Sequence, residues 1–159
     1  MIGAHGSAGG GQWPTIRPTK GPPAAGHDPP EPDRSTNETS VMPMPITRMN
    51  HAVLYVRDAR RTQQFYADVL GFSTVIEHPQ GAFVFMRAPS SDNHHDIAFF
   101  TIGQGAAPSE AGARPVGLYH LAWEVPTLAE LAEMREKLRA AGALVGQSDH
   151  GANKSLYAH

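Results

Sequence analysis

Two segments of the chain share one pattern, and this repeat limits the possible folds more than any other feature of the sequence. Residues 49–58 are MNHAVLYVRD, and residues 118–127, which lie 69 positions later, are LYHLAWEVPT. In each segment a histidine (His51 or His120) opens an apolar run with β-branched and aromatic residues, and a residue that can cap a helix closes it. A helical pattern follows each segment. The sequence therefore predicts one strand–helix unit that occurs twice.

The first unit can be followed through four strands. Residues 47–57 alternate as a strand does, with His51 and Val53 on one face. Asp58 is placed to cap the following helix, and Gly71 stands where a helix commonly ends in a left-handed residue. Three further strand-like runs, separated by turn-forming residues, lie at 72–77, 82–87 and 95–102. Together they predict a βαβββ unit.

The second unit begins in the same way but has fewer strands. Its first strand is predicted at 117–125, Thr127 and Glu130 form a capping box, and Gly142 closes the helix. Strand-like runs follow at 143–147 and 154–158. By analogy with the first unit, we expect that the last strand is missing and that the sequence is truncated there.

Residues 1–45 have a different composition from the rest of the chain. They hold 9 of the 14 prolines and 7 of the 16 glycines, with few branched aliphatic residues. Such a segment cannot bury enough apolar surface to offset the entropy lost on ordering. We therefore predict a disordered tail over 1–45 and one folded domain over 46–159, with units at 46–102 and 117–159.

Charge and cysteine content exclude several classes of function. The formal net charge of -2 and the isoelectric point near 6.5 give no electrostatic reason to expect nucleic acid or an anionic membrane as partner. The chain has no cysteine, which excludes disulfides, zinc–thiolate sites and thiol catalysis. The N-terminal residues lack the basic and apolar blocks of a signal peptide, and no apolar run reaches the ~20 residues that a membrane span needs. We expect a cytoplasmic protein.

The two repeated histidines suggest a metal site. A single histidine on an apolar strand is more often a hydrogen-bonded core residue, but matching positions in a repeat favour ligands. Glu124 shares a strand face with His120, yet four residues of strand separate the two by about 13 Å. We therefore interpret Glu124 as a structural or solvated residue.

Two tandem βαβββ units that each open on a histidine strand resemble the vicinal oxygen chelate superfamily, which includes glyoxalase I, fosfomycin-resistance, bleomycin-resistance and extradiol dioxygenase proteins. The resemblance covers residues 46–159 and implies an α+β fold with facing curved mixed sheets around a metal. It makes His51 and His120 metal ligands, with a family glutamate expected beyond His159. Two histidines and a carboxylate suit Fe(II) that binds a catecholate and O₂. Mn(II) or another divalent metal is the alternative.

Three further matches bring the resemblance closest to type I extradiol (catechol 2,3-) dioxygenases. They are His94 and His95 in NHHDIAFF, His150 in SDHGANKSLY, and Tyr157 in the same stretch. The resemblance makes His95 the acid/base beside bound dioxygen, and it makes His150 and Tyr157 the residues that hold the substrate oxygens. The alternative interpretation is that the histidine pair is a solvated turn and that Tyr157 is a packing residue.

The function that the resemblance implies is ring cleavage next to the diol, in aromatic hydrocarbon catabolism. Its partners would be a small aromatic diol and O₂, and the protein would be a homo-oligomer. Two alternatives share the fold. One is a glyoxalase- or fosfomycin-transferase-like metalloenzyme, and the other is a metal-free binding protein of the bleomycin-resistance kind.

Overall fold

The computed structural model of the chain describes residues 2–5, 46–111 and 116–159. Within these ranges the elements, in chain order, are β1 Ile2–His5, β2 Ala52–Val56, α1 Ala59–Asp68, β3 Ser73–Glu77, β4 Phe83–Arg87, β5 Ile97–Thr101, β6 Trp123–Glu124, α2 Leu128–Ala140, β7 Leu144–Asp149 and β8 Asn153–Ala158. The predicted α+β class is confirmed. None of the helices in the described ranges is both long enough and apolar enough to cross a membrane.

Both helices begin at the predicted caps. The Asp58 carboxylate accepts hydrogen bonds from the backbone N–H groups of Arg60 (3.0 Å) and Arg61 (3.1 Å) at the start of α1. At the start of α2, the Thr127 hydroxyl accepts from the Glu130 N–H and donates to the Glu130 carboxylate, which is the predicted capping box. Because the first N–H groups of a helix have no partner inside it, these side chains fix where each helix starts.

The first sheet has the strand order β2-β5-β4-β3. Strands β2 and β5 are parallel, and the other neighbours are antiparallel. Side chains on one face, such as Val84 and Phe99, are fully buried and pack beside α1. On β2, the alternate residues Val53 and Tyr55 are 51% and 76% exposed, so the other face of this strand is open.

The second sheet has the order β6-β1-β8-β7. Strand β1 lies parallel to β6 and antiparallel to β8, and so fills the position for which the sequence of the second unit offered no strand. Residues 2–5 thus form a strand where the sequence predicts a disordered tail, while residue 1 and residues 6–45 of that tail lie outside the described residues. The physical reason is that β1 pairs backbone groups of β6 and β8 that would otherwise form open sheet edges.

Two apolar clusters form the core. One lies around Leu131, Leu138 and Leu156 on the second sheet, and the other lies around Met86 and Phe99 on the first. Leu70 and Trp123 pack against both clusters. The Trp123 ring meets that of Phe72 edge-on, with centroids 5.1 Å apart.

Candidate functional site

His51 and His95 lie together at one end of the first sheet. Each histidine precedes a strand, β2 or β5, and the parallel pairing of Ala52 with Ile97 sets the two strand starts side by side. The Ala52 N–H donates to the Asp96 carbonyl at 3.0 Å, which extends this pairing. The two imidazole rings are 4.5 Å apart between centroids. Residues 44 positions apart in the sequence thus become neighbours.

The ring of His95 packs between two other rings. Phe85 of β4 stacks on it at 4.8 Å with an interplanar angle of 19°, and His51 lies near it. The Nδ1 atoms of His94 and His95 are 3.0 Å apart. Partial burial lowers the pKa of His95, the charges of His51 and His94 lower it further, and Asp96 opposes them. The His95 imidazole is therefore neutral near pH 7 and able to accept a proton.

A hydrogen-bonded carboxylate supports the loop that carries the histidine pair. The Asp96 carboxylate accepts from the Ala88 N–H (2.8 Å), the Ser91 hydroxyl (2.7 Å) and the Asn93 amide (2.8 Å). Burial raises the pKa of Asp96, but the three hydrogen bonds outweigh burial and leave the pKa below its usual value. Asp96 thus stays ionised near neutral pH and ties together three points of the loop.

Asn93 links this loop to the start of β2. Its buried side-chain amide donates to the Asn50 carbonyl at 2.8 Å as well as to Asp96. Asn50 in turn precedes His51, so one side chain holds both histidine segments. The roles of Asp96 and Asn93 were not predicted from the sequence. The signal for them was the polar stretch at 88–93, which predicted a turn but not its attachment.

The hydrogen bond of His51 sets its tautomer. Its Nδ1 lies 2.8 Å from the side-chain carbonyl oxygen of Asn50. Since this oxygen only accepts, Nδ1 carries the hydrogen and Nε2 keeps a free lone pair. A histidine ligand commonly has such a partner on its second nitrogen. His51 thus fits the chemistry of a metal ligand.

His120 occupies a different environment. It is exposed and lines a cavity of about 540 Å³, to which Leu54 of β2 and Tyr66 of α1 also contribute. Further lining residues are Arg61, Phe65, Tyr119, Trp123 and His159. Over the described ranges, no group of three or more His, Asp or Glu side chains is placed to hold a metal ion. The assignment of His51 and His120 as a pair of metal ligands stays a prediction.

His150 and Tyr157 contact each other on the second sheet. The His150 Nε2 lies 3.2 Å from the Tyr157 hydroxyl. The turn between β7 and β8 is held by an ion pair of 2.7 Å between Lys154 and Asp149. The hydrogen bond from Lys154, followed by that from the Gly151 N–H, lowers the pKa of Asp149. This anchored turn places the His150 imidazole beside the Tyr157 phenol of β8.

An aromatic surface adjoins the His51–His95 pair. The ring of Phe83 lies 5.4 Å from that of Phe85 and 5.6 Å from that of Phe100. Phe85 connects this aromatic surface to His95, on whose ring it stacks. Offset aromatic rings of this kind suit a flat, apolar ligand.

Comparison with known proteins gives the family context. A sequence model of the glyoxalase/bleomycin resistance protein/dioxygenase superfamily matches residues 48–159. Biphenyl-2,3-diol 1,2-dioxygenase 3 of Rhodococcus globerulus is 34% identical over 111 residues, which is 69% of this chain and 56% of that protein. The chain therefore spans little more than half the length of this curated relative.

Solved structures share the fold at low sequence identity. A glyoxylase/bleomycin resistance protein/dioxygenase domain from Frankia sp. EAN1pec superposes with a TM-score of 0.57 at 18% identity, over 72% of this chain and all of that one. Lactoylglutathione lyase from Agrobacterium tumefaciens has a TM-score of 0.53 at 21% identity, over 72% and 87% of the two chains. At these identities the likeness concerns architecture alone.

Proposed function

Because the chain belongs to the glyoxalase/bleomycin resistance protein/dioxygenase superfamily, we propose that it is part of a metal-dependent dioxygenase, which cleaves a catechol-like ring next to the diol with O₂. The 34% identity to a biphenyl-2,3-diol dioxygenase supports this reaction over others in the family. The chain covers 56% of that relative, so the activity is proposed for the whole protein.

The observation that carries the proposal is the packing of His95. Its ring is held between His51 and Phe85, and its pKa is lowered, so a neutral imidazole stands at the edge of an aromatic surface. A general base must be neutral at the working pH and fixed in place. We assign His95 the transfer of the second diol proton.

His150 and Tyr157 are proposed to hold the substrate oxygens. Their side-chain polar atoms lie 3.2 Å apart, which supports a shared role in binding. A phenol hydroxyl can donate and accept, which suits an oxygen whose proton is being removed.

The metal would be Fe(II), with Mn(II) or another divalent ion as the alternative. When bound, such an ion makes the diol more acidic and holds both reactants together. His51 fits a ligand because its Nε2 is free, and His120 is proposed as the second ligand from the repeat. Since the described residues place no group of three or more His, Asp or Glu side chains around a metal ion, no third ligand is assigned.

The test compares iron per chain with the rate of ring opening in the complete protein. His51→Ala and His120→Ala should abolish iron binding. His95→Ala should keep iron near the wild-type content while turnover of a catechol falls by roughly 10²–10⁴-fold, the usual contribution of a positioned acid/base. In Tyr157→Phe the turnover should fall between that of the wild type and that of His95→Ala, since this variant loses one hydroxyl only. His78→Ala, at a histidine with no assigned role, serves as the control.

Two results would contradict the assignment. If His95→Ala loses iron as completely as His51→Ala, His95 is a ligand and its role as the acid/base is wrong. If His95→Ala keeps both iron and full turnover, the histidine pair is only a turn. The glyoxalase-like and metal-free binding functions would then be favoured.

A further inference from the structure

Strand β1 makes the same kinds of pairing in the second sheet that β5 makes in the first. Strand β5 lies between the first and third strands of its unit, parallel to β2 and antiparallel to β4. Strand β1 lies between β6 and β8, parallel to the former and antiparallel to the latter. Both are central strands of their sheets. The position of β1 is therefore that of a fourth strand of the second unit.

The register supports the same equivalence at single residues. The repeat of 69 positions places Trp123 on Leu54. Leu54 pairs with Phe99 in the first sheet, and Trp123 pairs with Ile2 in the second. Ile2 thus takes the place of Phe99.

The third strand of each sheet agrees with this register. Phe99 pairs with Val84, and Ile2 pairs with Leu156. Val84 and Leu156 are both fully buried. Lys154 and Ser155 are also buried, as expected for a central strand with a neighbour on each side.

Strand β6 depends on this neighbour. It is two residues long and, within the described part of the chain, its place in the sheet is at the edge beside β1. Its two pairings are Trp123 with Ile2 and Glu124 with Gly3. Without β1, no backbone hydrogen bonds of a shared sheet would connect the 116–124 segment to β8.

We propose that the channel between β6 and β8 is a strand-binding groove, and that its occupant, Ile2–His5 of the same chain, holds β6 and the segment with His120 on the second sheet. The groove offers backbone donors and acceptors on both sides, so an extended segment gains a double ladder of hydrogen bonds. The N-terminal strand and residues 50–159 belong to one compact unit. This inference does not depend on the proposed reaction.

The experiment compares two double-proline variants of the full chain. Gly3→Pro with Ala4→Pro removes one ladder N–H toward each neighbour of β1, since successive N–H groups of a strand point to opposite sides. Ala25→Pro with Gly26→Pro makes the same residue changes outside β1. The readout is amide hydrogen exchange, with the β2–β5 ladder of the first sheet as the internal measure of folding.

In the β1 variant, amides of β6 and of β8 residues 154–156 should exchange at least about tenfold faster than in the control, while the first sheet stays protected. With Trp13→Phe as background, Trp123 is the single tryptophan, and its emission should shift to the red.

If the β1 variant and the control exchange amide hydrogens at the same rate in β6 and β8, the groove is not filled by Ile2–His5. If the amide protection of β6 and β8 in the parent chain falls on dilution as a dimer dissociates, the strand comes from a second copy. The proposal of a same-chain occupant then fails. If the double variant does not fold, Ala4→Pro alone carries the comparison.

Discussion

At the scale of single residues, the position of His95 depends on side chains that do not touch it. The Asp96 carboxylate accepts hydrogen bonds from three donors of the 88–93 loop. Asn93 in turn donates a hydrogen bond to the carbonyl of the residue before His51. An ionised carboxylate with three donors is well satisfied although little of it is exposed. The segments that carry the histidine pair are thus held together by a carboxylate and an amide beside it.

Replacing Asp96 with asparagine should destabilise the fold and change its pH dependence. The new amide offers hydrogens where acceptors are needed, and hydrogen bonds to charged groups contribute about 1.5–3 kcal/mol each, so we expect a loss of about 1–3 kcal/mol at pH 7. The folded-state pKa of Asp96 is depressed, so its contribution is complete above the unfolded pKa of about 3.9 and is lost as pH falls through the folded value.

The measurement is urea unfolding at pH 7, pH 5 and pH 3. The difference between wild type and Asp96→Asn should be similar at pH 7 and pH 5 and smaller at pH 3. Glu133→Gln, at an exposed carboxylate of α2, should show little effect at any of these values. A constant difference at all three values would mean that ionisation of Asp96 does not contribute.

At the scale of the elements, α1 starts at a side-chain cap. The Asp58 carboxylate satisfies two backbone N–H groups that the helix leaves without partners. Asp58→Ala should therefore lower the free energy of unfolding by about 1 kcal/mol, the typical cost of losing such a cap. Asp68→Ala, at the other end of α1, should cost less because a carboxylate near a helix C-terminus opposes the macrodipole. Denaturant midpoints of the two variants provide the measurement, and equal losses would contradict the capping role.

Local signals were enough to predict the helices, but not the lengths of all strands. Caps at Asp58 and Thr127 and glycines at the helix ends act within a few residues, so the sequence contains them directly. The first strand of the second unit was predicted at 117–125, whereas the structure has only Trp123–Glu124. A strand extends only as far as its partner pairs with it, and β1 pairs with two residues there.

Local sequence signals were likewise not enough to predict how the residues of the candidate site lie together. The sequence singled out His51 and His95 for separate roles but contained no local sign that the rings would be neighbours, because their contact follows from the parallel pairing of β2 with β5. The repeat likewise predicts that His51 and His120 are a ligand pair, and His120 lines the cavity beside α1, to which Leu54 of β2 also contributes. Equivalent positions in two units specify equivalent local structure and do not fix how the units meet.

At the scale of the whole molecule, Trp123 is a main link between the two sheets. It packs against both core clusters, meets Phe72 edge-on at 5.1 Å and hydrogen-bonds with Tyr66. Burial raises the pKa of Tyr66 and that hydrogen bond partly offsets the rise, so the phenol stays protonated near neutral pH. The join between the sheets is thus apolar, with one polar contact inside it.

Trp123→Ala should therefore weaken the cooperativity of the fold as well as its stability. Truncation of a large core aromatic costs about 3–5 kcal/mol, and since Trp123 is partly exposed we expect about 2–4 kcal/mol. Amide exchange should then show first-sheet and second-sheet protection lost at different denaturant concentrations, whereas in the wild type the two should coincide. The Tyr119 side chain is mostly exposed, so in Tyr119→Ala both sheets should still lose protection at the same denaturant concentration. Coincident loss in Trp123→Ala would mean that other contacts, such as those of Leu70, suffice to couple the sheets.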